Sequence, residues 1–469
     1  MLFNSFQYWI FFFIVLALFY SVPFRVGKIL LLLASYVFYM WWDPRFIVLI
    51  LTSTVVDYWL GILLEVASGR RKKLLLIVSL IVNLGILGFF KYYNFFAGSL
   101  ASLLHLSQSS VVLQIILPVG ISFYTFASLS YTIDVYWGNM KAVRNFIDYA
   151  FFIAFFPHLI AGPIIRARQF ISQIQYWRRP AAIVVQSGIV LILSGLLKKI
   201  VFADRFALVS DSYFSDPTAH PGWLSAWTGG IAFANQVFFD FSGYTDIARG
   251  CAKLLGFEFP LNFARPALAR NPPDLWQRWH ITLSLWLRDY LFMPLSRARR
   301  GRFALYRNLI FVMVLVGLWH GANWTFVAWG AYHGILLIGY RLFDRVTAGT
   351  MVAHIMRTRY FAPVSIALMF LSYVVSIAFF RARTLQDSAF ILRGMFGFQH
   401  VTGEFLLTTG TIVLFFISLF LAVAQERNQF IDRLAIAPAR VQIPAYVCAF
   451  LALELFPVTG QIPFVYFQF

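Results

Sequence analysis

An all-α, polytopic membrane fold is what this sequence predicts, on three observations. Of its 469 residues 60% are hydrophobic, 19% aromatic and only 12% charged, and the mean hydropathy is +0.75. A globular domain runs at roughly 45–50% apolar and about 25% charged, so lipid is the solvent this composition suits. Apolar stretches long enough for a bilayer recur from end to end. The cations lie between those stretches: Lys and Arg number 38 against 19 Asp and Glu, a net charge of +19, yet they form no single basic face. That distribution reads as topology signals on the cytoplasmic side rather than as a nucleic-acid surface. Disordered, collagenous and disulfide-rich secreted classes are excluded with the globular one. Cys251 and Cys448 are far apart and lack ligand-like neighbours, so neither a disulfide framework nor a metal site is expected.

A bilayer core of about 30 Å takes roughly 20 apolar residues in a helix. The first seven residues hold no basic region, and the apolar run Tyr8 to Tyr20 is followed by no small-residue cleavage site. It reads as an uncleaved first membrane segment rather than a signal peptide. Further segments are expected at 28–42, 46–65, 74–92, 110–137, 145–165, 181–202, 222–241, 279–295, 308–327, 328–342, 361–380, 405–424 and 441–458, after a first at 8–24. Those at 145–165 and 279–295 carry Pro, His or Arg and are expected to be re-entrant or tilted elements, since irregular backbone at membrane depth must be buried in protein. The densest cation runs, Arg70 to Lys73 and Arg297, Arg299, Arg300, Arg302 and Arg307, are placed in the cytoplasm by the positive-inside rule. Lys198 with Lys199 and Arg178 with Arg179 are weaker signs of the same kind. With no repeat of one half in the other and no long linker, residues 1–469 read as one membrane domain.

Ionisable groups in membrane segments are costly and so mark candidate sites. The richest stretch runs from Asn271 to Pro294. As a helix from Asp274 it places Trp276, His280, Ser284 and Arg288 on one face at spacings of four; an interfacial amphipathic helix with snorkelling Arg is the other reading. In Arg307 to Tyr340, His320 lies thirteen residues beyond Arg307, about 20 Å along a helix, and so deep in the membrane. The flanking Gly317 and Gly321 permit a close approach or a helix break. An interhelical hydrogen bonder is the alternative for His320, and a structural role is the preferred reading for His333. In Phe238 to Phe263, Asp246 and Arg249 have the spacing of an intrahelical pair, whereas Asp240 has no obvious local partner.

These residues sit in a set of sequence pieces: LPVGISFYTFASLSYTIDVYWG (117–138), FFPHLIAGPIIR (155–166), GLLKKIVFADRFA (195–207), FDFSGYTDIARG (239–250), RWHITLSLWLRDYLFMPL (278–295), GLWHGANWTFVAWGAYHG (317–334) and the terminal VYFQF (465–469). In content and order they resemble the membrane-bound O-acyltransferase family, and within it the bacterial branch that O-acetylates alginate, cellulose and peptidoglycan and D-alanylates teichoic acid. The resemblance spans nearly the whole chain. It implies a ring of about 11–14 membrane helices and re-entrant segments around a central funnel. It also implies that the family's catalytic histidine is His320 and its second active-site position His280, forty residues earlier. Two departures fall on the expected cytoplasmic side: Ser296-Arg297-Ala298-Arg299 stands where the branch has Gly-Gly-Asn-Arg, and Gln277 where it has Arg.

O-acyl transfer needs a base to take the hydroxyl proton, and a positioned His contributes about 10²–10⁴-fold; that role goes to His320, whose burial favours the neutral imidazole. His280 would orient the acceptor or donate to the oxyanion, with Ser284 and Asn323 as further donors. Trp324, Arg288 and Asp240 complete the candidate substrate-binding set. The resemblance implies no bound cofactor and a cytoplasmic donor, acetyl-CoA or another acyl thioester. It further implies a periplasmic or membrane-anchored acetyltransferase partner, an exopolysaccharide as final acceptor and residence in the bacterial inner membrane. A secondary transporter is the rival reading, and it should show repeated halves with paired broken helices. A family member acting on peptidoglycan, teichoic acid or lipid is the rival within the enzyme class.

Overall fold

A computed structural model describes residues 1–107, 111–298, 301–397, 406–428, 430–458, 460 and 462–465. Arg299 and Arg300 of the cation run and Tyr466 to Phe469 of the terminal piece lie outside the described residues. Helices make up the fold, with no strand among the described residues, as expected for an all-α polytopic membrane protein. The chain divides into two compact units. Met1–Ile192 with Ile247–Pro260 form one, and Leu193–Asp246 with Leu261–Phe469 the other.

The first unit begins with α1 (Phe6–Ser21), α2 (Phe24–Met40), α3 (Ile47–Val66) and α4 (Gly69–Leu87), the last running through a π turn at Gly88–Tyr92 into α5 (Tyr93–Leu103). Then come α6 (Ile121–Trp137), α7 (Phe146–Ala154), α8 (Phe156–Leu159), α9 (Ala167–Gln175) and the start of α10 (Ala182–Leu197). Among the described residues, five helical stretches are long and apolar enough to cross a membrane: Pro44–Val66, Gly69–Leu103, Ala182–Ser215, Arg302–His320 and Ala362–Phe380. The expected re-entrant segment at 145–165 is two short helices followed by irregular backbone, and Tyr149 to Phe156 are all but completely buried. Its interrupted backbone is satisfied internally: the Nε2–H of His158 donates to the Phe152 carbonyl (3.0 Å), and the Phe156 N–H donates to Ser35 Oγ (3.1 Å). The ion pair between Lys28 and Asp148 ties α2 to α7.

A buried carboxylate holds α3 and α4 together. Asp57 is fully buried and accepts from Ser79 Oγ (2.7 Å) and Asn83 Nδ2 (2.7 Å), while Ser53 on α3 donates to Asn83 Oδ1 (2.7 Å) and meets Ser128 on α6 (3.0 Å). A buried donor left without its acceptor costs about 1–3 kcal/mol. Asp57→Leu strands two of them, so the purified variant is expected to unfold at a clearly lower temperature than wild type, with Asp57→Asn in between; an unchanged melting temperature for the Leu variant would contradict this.

The second unit holds the rest: α11 (Asp204–Ser215), most of α12 (Trp223–Leu254), α13 (Pro272–Arg278), α14 (Ile281–Leu287) and α15 (Met293–Ala298), then the hairpin of α16 (Arg302–His320) and α17 (Trp324–Thr347). It continues with α18 (Met351–Arg357), α19 (Ala362–Phe380), α20 (Leu385–Phe396), α21 (Thr409–Asn428), α22 (Phe430–Ile436) and α23 (Ala439–Leu455). The hairpin is unusually close because glycines line its seam. A Cβ on Gly317 would lie 2.0 Å from the Phe326 carbonyl oxygen, and one on Gly330 would lie 2.3 Å from that of Met313. Small residues at such seams let helix backbones approach in lipid, and here they bring the end of α16 against the start of α17.

Candidate functional site

His320 is the last residue of α16. The helix is continuous from Arg302, so the sequence estimate of about 20 Å from Arg307 to His320 along the axis holds. Gly321 leaves the helix in extended backbone, and Asn323 starts α17 by accepting the Thr325 N–H (3.1 Å) on its side-chain oxygen. His320 is buried, packed edge to face on Trp319, Trp329 and Phe380 at centroid distances of 4.9, 5.1 and 5.1 Å.

His280 arrives differently from the way its spacing predicted. A continuous helix from Asp274 would put Trp276, His280, Ser284 and Arg288 on one face, but the helix ends at Arg278 and a new one begins at Ile281. His280 itself is left-handed, with φ 43°. For a residue with a Cβ that conformation costs of order 1–3 kcal/mol unless its surroundings impose it. Here the backbone at 262–264 does so. The Ile281 N–H donates to the Asn262 carbonyl (2.9 Å) and the Ala264 N–H to the Arg278 carbonyl (2.9 Å). The Asn262 side-chain oxygen accepts from both the N–H and the hydroxyl of Thr282 (3.2 and 3.0 Å). Ser284 closes the break by donating to the Trp279 carbonyl (3.3 Å). Asn262 therefore acts as the cap of α14, and Asn262→Ala is expected to cost about 1–2 kcal/mol, read as a lower melting temperature that Asn262→Asp largely restores. A wild-type melting temperature in the Ala variant would remove Asn262 from that role.

The break turns His280 inward, where it is buried against Phe241 (4.8 Å) and Trp319 (5.6 Å). Both imidazoles thus pack on one indole, that of Trp319. The row continues from His320 through Trp329 (5.1 Å) to His333 (4.5 Å), and Trp276 closes its far end at 5.3 Å from His333. Among the described residues, neither ring nitrogen of His280 or His333 has a hydrogen-bond partner, nor does the indole N–H of Trp276 or Trp329. Native interiors leave few such groups, and each calls for an explanation. Their concentration in one aromatic-walled spot marks it as the candidate site, since stability alone would select apolar rings there.

The other expected site residues lie elsewhere or have their polar atoms engaged. Arg288 is in a π turn, bonded to Asp289 (2.6 Å). Asn323 caps α17 and donates to the Arg383 carbonyl (3.1 Å), and Trp324 is 52% exposed. Asp240, which lacked an obvious sequence partner, has two: its carboxylate accepts the Val465 N–H (2.7 Å) and pairs with Lys199 (3.1 Å), which also pairs with Asp204 (2.8 Å). Asp246 holds Lys198 (2.6 Å). The surrounding residues that sequence reasoning did not single out are Trp319, Trp329 and Phe241, while His333, read there as structural, packs on Trp329. A Trp four residues before a His, as at 329 and 333, puts both on one helix face and was the available signal.

Buried imidazoles such as these two, packed on a shared indole, are groups that can accept and donate a proton. Residues 140–382, which include both, match the family model of MBOAT, the membrane-bound O-acyltransferase family. The chain belongs to that family. Over 429 residues it is 39% identical to the "Probable alginate O-acetylase AlgI" of Pseudomonas aeruginosa, covering 88% of this chain and 80% of the relative. It is 34% identical over 408 residues to the peptidoglycan O-acetyltransferase of Helicobacter pylori, covering 80% and 75%. To the teichoic acid D-alanyltransferase of Bacillus subtilis it is 30% identical over 237 residues, covering 48% and 60%. Within its family, then, the chain is a multi-pass membrane O-acetyltransferase.

Proposed function

We propose that this enzyme takes an acetyl group from a cytoplasmic donor, acetyl-CoA or another acyl thioester, and passes it across the bacterial inner membrane for O-acetylation of an exopolysaccharide. A periplasmic or membrane-anchored acetyltransferase partner completes the transfer. The observation that carries this reading is the packing of both His280 and His320 against the indole of Trp319. His320 is the base: a hydroxyl oxygen attacks the acyl carbonyl carbon as its proton moves to the imidazole, the acyl carbon–sulfur bond then breaks, and the leaving thiolate takes the proton from His320. His280 orients the acceptor and donates to the oxyanion, where a positioned donor is worth about 10²–10³-fold. The 39% identity to an alginate O-acetylase over 88% of the chain supports an exopolysaccharide acceptor such as alginate or cellulose over peptidoglycan. The cation runs at 70–73 and 297–307 support a cytoplasmic entry for an anionic donor. The test is ester-linked acetyl on the exopolysaccharide of cells carrying His320→Ala; wild-type acetylation at normal membrane level would overturn the assignment.

A further inference from the structure

The first unit contains a second candidate site, away from these histidines in sequence and chemistry. Between α9, the turn at 176–181 and the chain at 253–260 lies a cavity of ≈ 740 Å³, within the roughly 300–1,000 Å³ of small-molecule sites. Its walls are built rather than incidental. Gln173 clamps the 256–260 turn from both sides, donating to the Glu258 carbonyl (3.0 Å) and accepting the Glu258 N–H (2.7 Å). The Trp177 indole donates to the Leu255 carbonyl (3.0 Å) and lies flat on Phe24, with centroids 4.5 Å apart and planes 1° off parallel. Gly256, at φ +84°, passes so close that a Cβ there would meet Trp177 Nε1 at 2.6 Å.

The charge in this cavity is unbalanced. Lys253 is matched by Glu258 (3.0 Å), but neither Arg178 nor Arg179 has a carboxylate partner among the described residues; Arg179 rests on the Tyr20 ring at 5.0 Å. Two adjacent guanidiniums lining a preformed cavity favour an anion that they can grip in bidentate fashion, and phosphate is the group that geometry suits. The rest of the lining is amphipathic, and Tyr176 stands 79% exposed beside Trp177, the aromatic arrangement of a membrane–water boundary. Basic pockets between membrane helices take anionic head groups there.

We propose that this cavity binds a phosphate group, gripped by Arg178 and Arg179 over the Trp177 wall. The phosphate comes from an anionic lipid or from a soluble phosphate-bearing molecule, and two probes separate these sources. The purified full-length protein in phosphate-free maltoside-detergent micelles is titrated with phosphatidylglycerol and, separately, with pyrophosphate, following the melting temperature. One probe at least is expected to give a saturable rise in wild type. In the double variant Arg178→Gln/Arg179→Gln the apparent affinity should fall at least about tenfold. Arg70→Gln/Arg71→Gln, which removes as much charge from the start of α4, should keep the rise. A response to phosphatidylglycerol alone assigns the site to lipid, and one to pyrophosphate assigns it to a soluble ligand. No saturable rise in wild type with either probe, or an Arg178/Arg179 variant that binds like wild type, overturns the proposal.

Discussion

Replacing His320 by Ala is expected to bring ester-linked acetyl on the exopolysaccharide to background, with the protein still at its normal level in the membrane. Under the proposed mechanism His320 is the general base, and loss of such a group removes about 10²–10⁴-fold in rate. The ring also fills space between Trp319, Trp329 and Phe380, so truncation leaves a gap that costs stability. His320→Gln fills more of that gap and separates the two effects: it should melt closer to wild type and remain inactive. Recovery of acetylation with the glutamine variant would mean that His320 acts by packing. His280→Ala should cause a severe but partial loss, because a donor to the oxyanion is worth less than the base. Wild-type activity in that variant would take His280 out of the site.

The second large effect is expected at Lys199. Its ammonium lies between the carboxylates of Asp204 (2.8 Å) and Asp240 (3.1 Å), all three side chains being 2 to 10% exposed. Removing one member of a buried ionic group leaves uncompensated charge and costs about 3–5 kcal/mol. Lys199→Met leaves two carboxylates facing each other and should show it fully, as a much lower melting temperature and less folded protein in the membrane. Asp240→Asn keeps an acceptor for the Val465 N–H and one carboxylate for Lys199, so its loss should be smaller. The pair also separates the two roles open to Asp240. A substrate contact would cost acetylation at an unchanged melting temperature, whereas a tether for the chain at Phe464 and Val465, both buried, would cost stability first. A Lys199→Met protein that melts like wild type would sink the account of the network.

Much of the fold was legible because its determinants are local. Composition and runs of apolar residues identified lipid as the solvent, and the pieces around His280 and His320 identified the family. Pro157 and His158 in an apolar run were enough to expect the irregular, buried element at 145–165. The helical face assigned to Trp276, His280, Ser284 and Arg288 was not borne out, since the i, i+4 rule presumes an unbroken helix. The break at His280 is held by hydrogen bonds that Asn262 accepts and Ala264 donates, and no window around His280 contains either residue. Asp240 likewise looked unpartnered because Lys199 and Val465 lie 41 and 225 residues away. The hydroxyl and amide expected as donors, Ser284 and Asn323, satisfy the backbone at two helix starts, the usual use of such residues where a chain changes direction.

By itself the sequence determined the solvent, the helical class, the family and the two histidines most worth testing. Each of these is a sum or a pattern over neighbouring residues, so it needs no knowledge of what packs where. Only the tertiary structure decided that His280 leaves its helix, that Trp319 receives both imidazoles, and that His333, Trp329 and Trp276 extend the same row. Those outcomes depend on hydrogen bonds and ring contacts between segments far apart in the chain, and on glycines at 317 and 330 that let α16 and α17 touch. In a bilayer the apolar effect does not choose among helix partners. The close fits and the buried polar bonds do, and they exist only once the chain has folded.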